Sequence, residues 1–450
     1  MRLLAINSNE GKQLRKPNFK SNIIFDIGGS QREGSCKISY TSTDGKDIFY
    51  KEHTTVNDLG KTKFKDQSDF IDHIIEKIKR IQKNSRATVK ELGYPEEENK
   101  IKNVAVFIPS YTVADKAFYL PNLKNDNDKP LKDIDFCNFK ERLEANGIKV
   151  DSDMNFKLLQ DAMGTGLAMS QSLYDQGLLE EGSLYTACIT GGGCGIANIE
   201  AIDKDHIIVK SSGSSYLSQS LSLQKVSKAG ASAPALIENF CKAMGYNEEM
   251  IERIKACHRA EFVLNPEVIF DSKDENFMAL CDILSETGDY SVTPLEMSSS
   301  KKNDDKFYRL QVLSHKKYNT ARRNAIDKYC LALARLAIIK KTEGSNGMIV
   351  TGALANAINK CANLYYDLSL SDWVMQHLTQ SFNSYELDKL QSVYDFKVFC
   401  NDKFSIQNNT ECGNLVHEAK FVGNTRRNWL KLSTETLKQN ATKVIKKTVI

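Results

Sequence analysis

No apolar run in this 450-residue chain approaches the length of a membrane span. Its start, Met1-Arg2-Leu3-Leu4-Ala5-Ile6, lacks the apolar stretch of a secretory signal. Charge of one sign is also missing: 61 basic against 57 acidic side chains leave a formal +4, which gives nucleic-acid or membrane binding no general support. The eleven cysteines contain no C-x-x-C pair, and no Cys/His group has the spacing of a zinc site, so no structural zinc is expected. They are scattered, odd in number and mostly set in apolar stretches, the pattern of reduced core thiols, and a cytoplasmic location is expected by elimination. Short repeats of the solenoid kind are absent as well.

What is present is the composition of a soluble globular protein, 41% hydrophobic and 26% charged. The length exceeds what one core usually serves, so two domains are expected. The division read from the sequence is an irregular lead-in over 1–20, a small α/β domain over 21–150, a large α/β domain over 151–425 and a basic C-terminal helix over 426–450. The large domain is expected to carry a helical insertion and a polar loop near 285–305. Strands are expected at Asn22 to Ile27, Cys36 to Tyr40, Ile48 to Lys51, Val104 to Ile108, Ile148 to Val150, Leu184 to Ile189, Ile196 to Ile199 and Met348 to Val350. Helical spacing marks Phe70 to Ile81, Cys137 to Ala145, Leu158 to Leu173, Ile326 to Ala337 and Leu354 to Asn363. A long connection is expected through Pro121 and Pro130. Strands alternating with helices at this spacing indicate an α/β fold with a substantially parallel sheet.

Glycine clusters at strand ends carry the chemistry. Phe25-Asp26-Ile27-Gly28-Gly29-Ser30 ends one apolar run, Gly191, Gly192, Gly193 and Gly195 follow another, and Thr351-Gly352-Ala353 follows a third. Glycines let a backbone approach phosphate oxygens and present free amides to them. Gly60-Lys61-Thr62 is no P-loop, because Thr55 stands where that loop needs glycine and no strand precedes it. A dinucleotide fingerprint fails too, since strand-like residues rather than a helix follow each of the first two clusters. Two readings remain for Asp26: the acid of a tight hairpin, or a strand-end carboxylate that holds magnesium through water. Asp153, in Val150-Asp151-Ser152-Asp153-Met154-Asn155, reads either as a helix N-cap or as a general base that takes the proton of a hydroxyl nucleophile.

The order of these segments resembles the bacterial sugar kinases of the ROK (repressor and kinase) family. D-I-G-G-S at Asp26 to Ser30 resembles its D-x-G-G-T phosphate motif, Leu120-Pro121-Asn122-Leu123 its P-N-L sugar segment, and Ser152-Asp153-Met154-Asn155 its N-D-x-N catalytic segment. Gly191 to Ile199 is similar to the second phosphate motif of bacterial glucokinases. Ile349 to Leu354 is similar to the adenosine motif of actin-like ATPases. The resemblance covers about Asn22 to Asn363. It implies a two-domain actin/hexokinase-like (ribonuclease H-like) fold with a nucleotide and substrate cleft between domains, ATP and Mg2+ as cofactors, a small-molecule sugar as partner, and a homodimer.

By the same resemblance Asp153 would be the base and Asp26 would organise magnesium. Gly28, Gly29, Ser30, Gly191, Gly192, Gly193 and Gly195 would face the phosphates, Gly352 the adenosine, and Asn122 and Ser152 the sugar. The chain departs from the family at Ser152, where Asn is usual, and at Gly192, where Thr is usual. Ser211 to Tyr216 stands in place of the family's E-x-G-H sugar segment, so the acceptor is left open. The alternatives are a non-catalytic sugar- or nucleotide-binding regulator of the same fold, or a kinase for a non-sugar acceptor. His206 and His258 read as surface or packing residues, and the basic residues from Arg426 to Lys447 as the solvated face of a helix.

Overall fold

Strand β1 (Lys20–Ile27) is buried along nearly all its length, as a strand covered on both faces must be. A computed structural model of the chain describes residues 20–28, 36–54, 64–94, 100–127, 129–214, 230–295, 307–381, 395–400, 412–422 and 429–447. Strands β2 (Cys36–Ser42) and β3 (Ile48–Thr54) run antiparallel beside β1. Helices α1 (Gln67–Asn84) and α2 (Arg86–Glu91) lead to β4 (Lys100–Ile108), parallel to β1. A small antiparallel sheet of β5 (Thr112–Val113), β6 (Lys116–Lys124) and β7 (Pro130–Asp135), then α3 (Phe139–Ala145), precede β8 (Val150–Gln160). The order of the first sheet is β3-β2-β1-β4-β8, with β8 parallel to β4.

Helix α4 (Asp161–Asp175) crosses to a second sheet that begins with β9 (Leu184–Thr190), β10 (Cys194–Asp203) and β11 (His206–Ser214), in which β10 runs antiparallel to both neighbours. Helices α5 (Ala233–Ala243), α6 (Glu248–Ala256) and α7 (Glu261–Leu264) follow. Next come β12 (Glu267–Asp271), α8 (Glu275–Ser285), β13 (Tyr290–Leu295) and β14 (Phe307–Val312), whose strands form a three-stranded sheet. The long helix α9 (His315–Thr342) returns the chain to β15 (Gly347–Thr351), and α10 (Ala353–Tyr366) and α11 (Leu370–Gln380) to β16 (Lys397–Cys400). Both β15 and β16 are parallel to β9. The end of the chain adds α12 (Gly413–Glu418), β17 (Lys420–Phe421), β18 (Trp429–Ser433) and α13 (Thr434–Lys447).

The second sheet therefore reads β16-β15-β9-β10-β11-β18-β17. Its β11-β10-β9-β15-β16 portion repeats the order of the first sheet, a three-stranded antiparallel meander extended by two parallel strands on the side of its first strand. That duplicated ribonuclease H-like order is the two-domain actin/hexokinase-like fold.

Alternation along β1 divides the core. Ile23, Phe25 and Ile27 face α1, whose Phe70, Ile74 and Ile78 are buried against them; each such side chain contributes about 1.5–3 kcal/mol of transfer free energy. Asp66 caps α1, its side chain accepting from the amides of Ser68 and Asp69. Ile24 faces the other way, into a cluster that joins Phe107 and Leu159 of the first sheet, Leu167 and Ala168 of α4, and Ala197 and Val209 of the second sheet. Helix α4 is thus packed between the sheets. Gly166 permits this approach, since a Cβ there would lie 2.6 Å from Val209 Cγ1. Lys157 of β8, buried, donates to the carbonyls of Val416 and Ala419 and ties the C-terminal segment to the first sheet. Burial lowers its pKa from 10.5 to about 8.

The structure revises several sequence expectations. Residues after Val150 do not turn into a helix: Asn155 to Gln160 pair in parallel with Asn103 to Ile108, and the strand ends only at Gln160. Residues 151–160, assigned by sequence to the second domain, therefore lie in the first sheet. The connection through Pro121 and Pro130 contains β6 and β7, with Pro121 where their register shifts between Leu120 and Lys124. Tyr290 to Leu295, read as polar loop, forms β13; 296–306 lie outside the described residues. Trp429 to Ser433 pair with β11 as a strand, so the C-terminal helix begins at Thr434. Among the described residues no helix is long and apolar enough to cross a membrane.

Candidate active site

Asp26 is the penultimate residue of β1 and shares the face of Ile24, turned away from the α1 core. It is 7% exposed. Lys37 stands directly opposite on β2, so the two side chains share a face, and Lys37 Nζ lies 3.8 Å from Asp26 Oδ2. In the parallel direction Asp26 pairs with Phe107 and Phe107 with Leu159. Two residues beyond Leu159 the chain reaches Asp161, first residue of α4. The carboxyl-terminal ends of β1 and β8 thus present two carboxyl groups at one end of the sheet.

The Asp161 side chain is partly buried, and its Oδ1 accepts from the Ala162 amide at 2.8 Å. Burial first, and the negative charge of Asp26 second, push its pKa from 3.8 to about 7, against the opposing pull of backbone N–H groups. A carboxyl that titrates near neutrality and responds to a neighbouring carboxylate is what an acid–base site needs.

The second glycine cluster comes to the same place. Between Thr190, the last residue of β9, and Cys194, the first of β10, the Gly191 amide donates to the Gly193 carbonyl at 2.9 Å and closes the turn. A Cβ on Gly195 would lie 3.5 Å from Ala162 Cβ, which sets this turn beside the start of α4. Gly192 is exposed at the tip, and around Gly191 a Cβ would meet nothing within 4 Å. Gly352 has φ +105°, and a Cβ there would lie 2.5 Å from the Thr190 carbonyl. Only glycine fits both that conformation and that contact. Asp26, Asp161, Gly191 to Gly195 and Gly352 are linked by these contacts, with Gly28 partly buried just beyond β1. Gly29 and Ser30 lie outside the described residues.

Asp153 is placed elsewhere. It lies where β8 bulges between Val150 and Asn155, beside Lys102, five residues of β4 before Phe107 on the rung of Asp26, about 16 Å along the sheet at ~3.3 Å per residue. Its side chain is 73% exposed and ion-paired with Lys102 at 2.6 Å. Hydrogen bonds from Lys102 and from Ser152 hold its carboxyl well below the usual carboxylate range, which makes it a weak base. Ser152 bonds to this carboxyl at 2.7 Å and stays with it, away from the glycine turns. The sequence reading missed Asp161 because Leu158, Leu159, Ala162 and Met163 also fit a helical period. The one cue in the sequence is that Phe156-Lys157-Leu158-Leu159 ends in Gln-Asp much as Ile24-Phe25 ends in Asp26, and it does not by itself separate strand from helix.

Asn122 lies on β6, within the register shift between Leu120 and Lys124. Ser211, at the start of the segment that lacks Glu and His, donates its hydroxyl to Gln160 Oε1 and so bridges the sheets next to Asp161; residues 215–229 are outside the described set. His206 is bonded to Asp203 at 2.9 Å by the β10–β11 turn. Among the described residues no group of three or more His, Cys, Asp or Glu is placed to hold a metal ion.

The fold and site define an α/β protein built on two principal sheets, with a paired-carboxyl site flanked by glycine turns. No family model matches the chain, and no curated protein matches it. Among solved structures it is similar to a glucokinase from Balamuthia mandrillaris in complex with glucose, at 11% identity over 88% of this chain and 93% of that one, TM-score 0.47. It is similar to a ROK family glucokinase from Streptomyces griseus in complex with glucose and AMPPNP, at 12% identity over 88% of this chain and 98% of that one, TM-score 0.42. It is also similar to a ROK family transcriptional regulator, a homolog of the E. coli MLC protein, at 12% identity over 88% of this chain and 80% of that one, TM-score 0.43. At such identities and TM-scores these are likenesses of overall course; the fold assignment rests on the repeated strand order.

Proposed function

We propose that the protein is an ATP-dependent kinase for an alcohol acceptor of the sugar class, with Asp161 rather than Asp153 as general base. The observation that carries the reading is the Asp161 carboxyl, raised toward neutrality beside Asp26 and flanked by the turn that contains Gly195. Phosphoryl transfer asks little else of a protein than an oriented acceptor, neutralised phosphate charge and one carboxylate to take the proton. In this reading Asp161 accepts the hydroxyl proton as the acceptor oxygen bonds to the γ-phosphorus and the bond to the ADP oxygen breaks. The amides of Gly28, Gly192 and Gly193 hold phosphate oxygens, with the Gly191 amide spent on closing the turn; Gly352 borders the adenosine, and the Lys37 ammonium offsets phosphate charge.

Asp26 would hold magnesium through water. The fit is chemical: carboxylates are the hard oxygen donors magnesium takes together with phosphate oxygens and water. Bound there, the ion would neutralise charge on the phosphates. The chain's own contribution is to keep Asp26 buried, Asp161 protonatable and the turns in place.

A second reading, a regulator that binds the same small molecules without turnover, is favoured by the absence of Glu and His from Ser211 to Tyr216. ATP consumption measured across hexoses, amino sugars and pantothenate, with ADP release in their absence as control, separates the two. Turnover with one acceptor that Asp161→Asn abolishes while ATP binding persists is expected. ATP binding with no turnover on any acceptor would leave the regulator.

A further inference from the structure

The turn at Gly191 to Gly193 has no side chains with which to hold itself, so its position must come from what grips the strand end before it. That strand end is Thr190, 1% exposed. Its hydroxyl bonds to the phenol of Tyr329, 0% exposed on α9, at 2.6 Å. The Gly191 carbonyl accepts from the amide of Ala233, first residue of α5, at 2.8 Å. Gly352 is pressed against the Thr190 carbonyl on a third side. The two polar grips also share an origin: Gly230, just ahead of α5, packs so closely on α9 that a Cβ would lie 2.7 Å from the Lys328 carbonyl and 3.2 Å from the Tyr329 amide.

Resting on the kinase reading above, we propose that Tyr329 is a positioning residue for nucleotide. Through Thr190 it sets the height of the Gly191 turn against the Gly352 turn, so that the phosphate and adenosine sides of the cradle keep one spacing. A Phe and Val pair would bury the same shape without leaving a polar group unsatisfied. Burial alone therefore does not call for two hydroxyls here. What they add is a short directional bond, which specifies distance where packing would tolerate a range.

The test is direct binding of a fluorescent ATP analogue to the full chain, without acceptor, beside the thermal midpoint of each variant. Tyr329→Phe and Thr190→Val should each weaken binding about tenfold, the effect of one lost buried hydrogen bond, and the double variant should be no weaker than either. Thr190→Ser, which keeps the hydroxyl, should bind as the wild type does. Tyr318→Phe is the control for general destabilisation: it lies about three turns earlier on the same helix, and its equally buried phenol donates to the Val263 carbonyl at 3.0 Å. It should lower the midpoint and leave binding unchanged. Wild-type affinity in Tyr329→Phe, or equal loss in Tyr318→Phe, would overturn the assignment of Tyr329. A wild-type chain that does not bind the analogue would overturn the kinase reading and this inference with it.

Discussion

Replacing Asp161 by Asn should make the protein inactive and, at alkaline pH, more stable. The carboxyl is raised from 3.8 to about 7 in the folded chain. Below pH 3.8 it is protonated in both folded and unfolded states. Between 3.8 and 7 the unfolded chain releases the proton that the folded chain retains, so stability falls as pH rises through that window and levels off above it. At about 1.36 kcal/mol for each tenfold in proton affinity, the full loss is on the order of 4 kcal/mol, and the part between pH 5 and pH 8 about 3 kcal/mol. An unfolding entropy of ~2.1 cal/mol/K per residue over 450 residues turns the latter into a shift of about 3 °C. Asn keeps the acceptor for the Ala162 amide and carries no charge. The difference in thermal midpoint, variant minus wild type, should therefore grow by about 3 °C from pH 5 to pH 8. Differential scanning calorimetry at the two pH values reads it, and the difference cancels titrations common to both proteins. Parallel curves for the two proteins would refute the burial of the Asp161 carboxyl, the larger cause of its raised pKa, whatever the kinetics show.

Lys37→Met removes the cation that faces Asp26 and should lower kcat/KM for ATP by about a hundredfold, with little change in thermal midpoint because the 3.8 Å pair is partly solvated; steady-state kinetics within a factor of about two of wild type would remove Lys37 from the phosphate site. Asp153→Asn should leave kcat within about twofold of wild type, since its exposed carboxyl serves Lys102 at the far end of β8; loss of turnover in that variant would restore Asp153 as the base. Gly352→Ala should destabilise by about 2–4 kcal/mol, because its φ of +105° and the Thr190 carbonyl 2.5 Å from a new Cβ both oppose a side chain, and a midpoint unchanged in a melting experiment would contradict that geometry.

Much of the fold was legible because its strands announce themselves by composition. Asn22 to Ile27, Val104 to Ile108, Leu184 to Ile189 and Met348 to Val350 are short apolar runs with turn chemistry behind them, and all four are strands. The β8–α4 junction was not legible, since a buried strand passes directly into a buried helix with no Gly or Pro between them, and Leu158, Leu159, Ala162 and Met163 fit one helical period across Gln160-Asp161. Periodicity cannot separate the two there, and only pairing with β4 does. With that junction read as helix, the likeness of Ser152 to Asn155 to the N-D-x-N segment set the expected base at Asp153, eight residues before Asp161. The glycine turns were found correctly as strand ends, but their convergence depends on crossovers that no local pattern encodes, such as the passage from β11 through α9 to β15.

Helix α4 also bears on how the chain unfolds. Each sheet has its own outer layer, yet the inner faces of both are covered by the same helix, through Phe107 and Leu159 on one side and Ala197 and Val209 on the other. Neither half can lose that layer without exposing the other, so the duplicated units are not independent foldons. Heating should melt them in one transition, and either half expressed alone should present an open apolar face and aggregate.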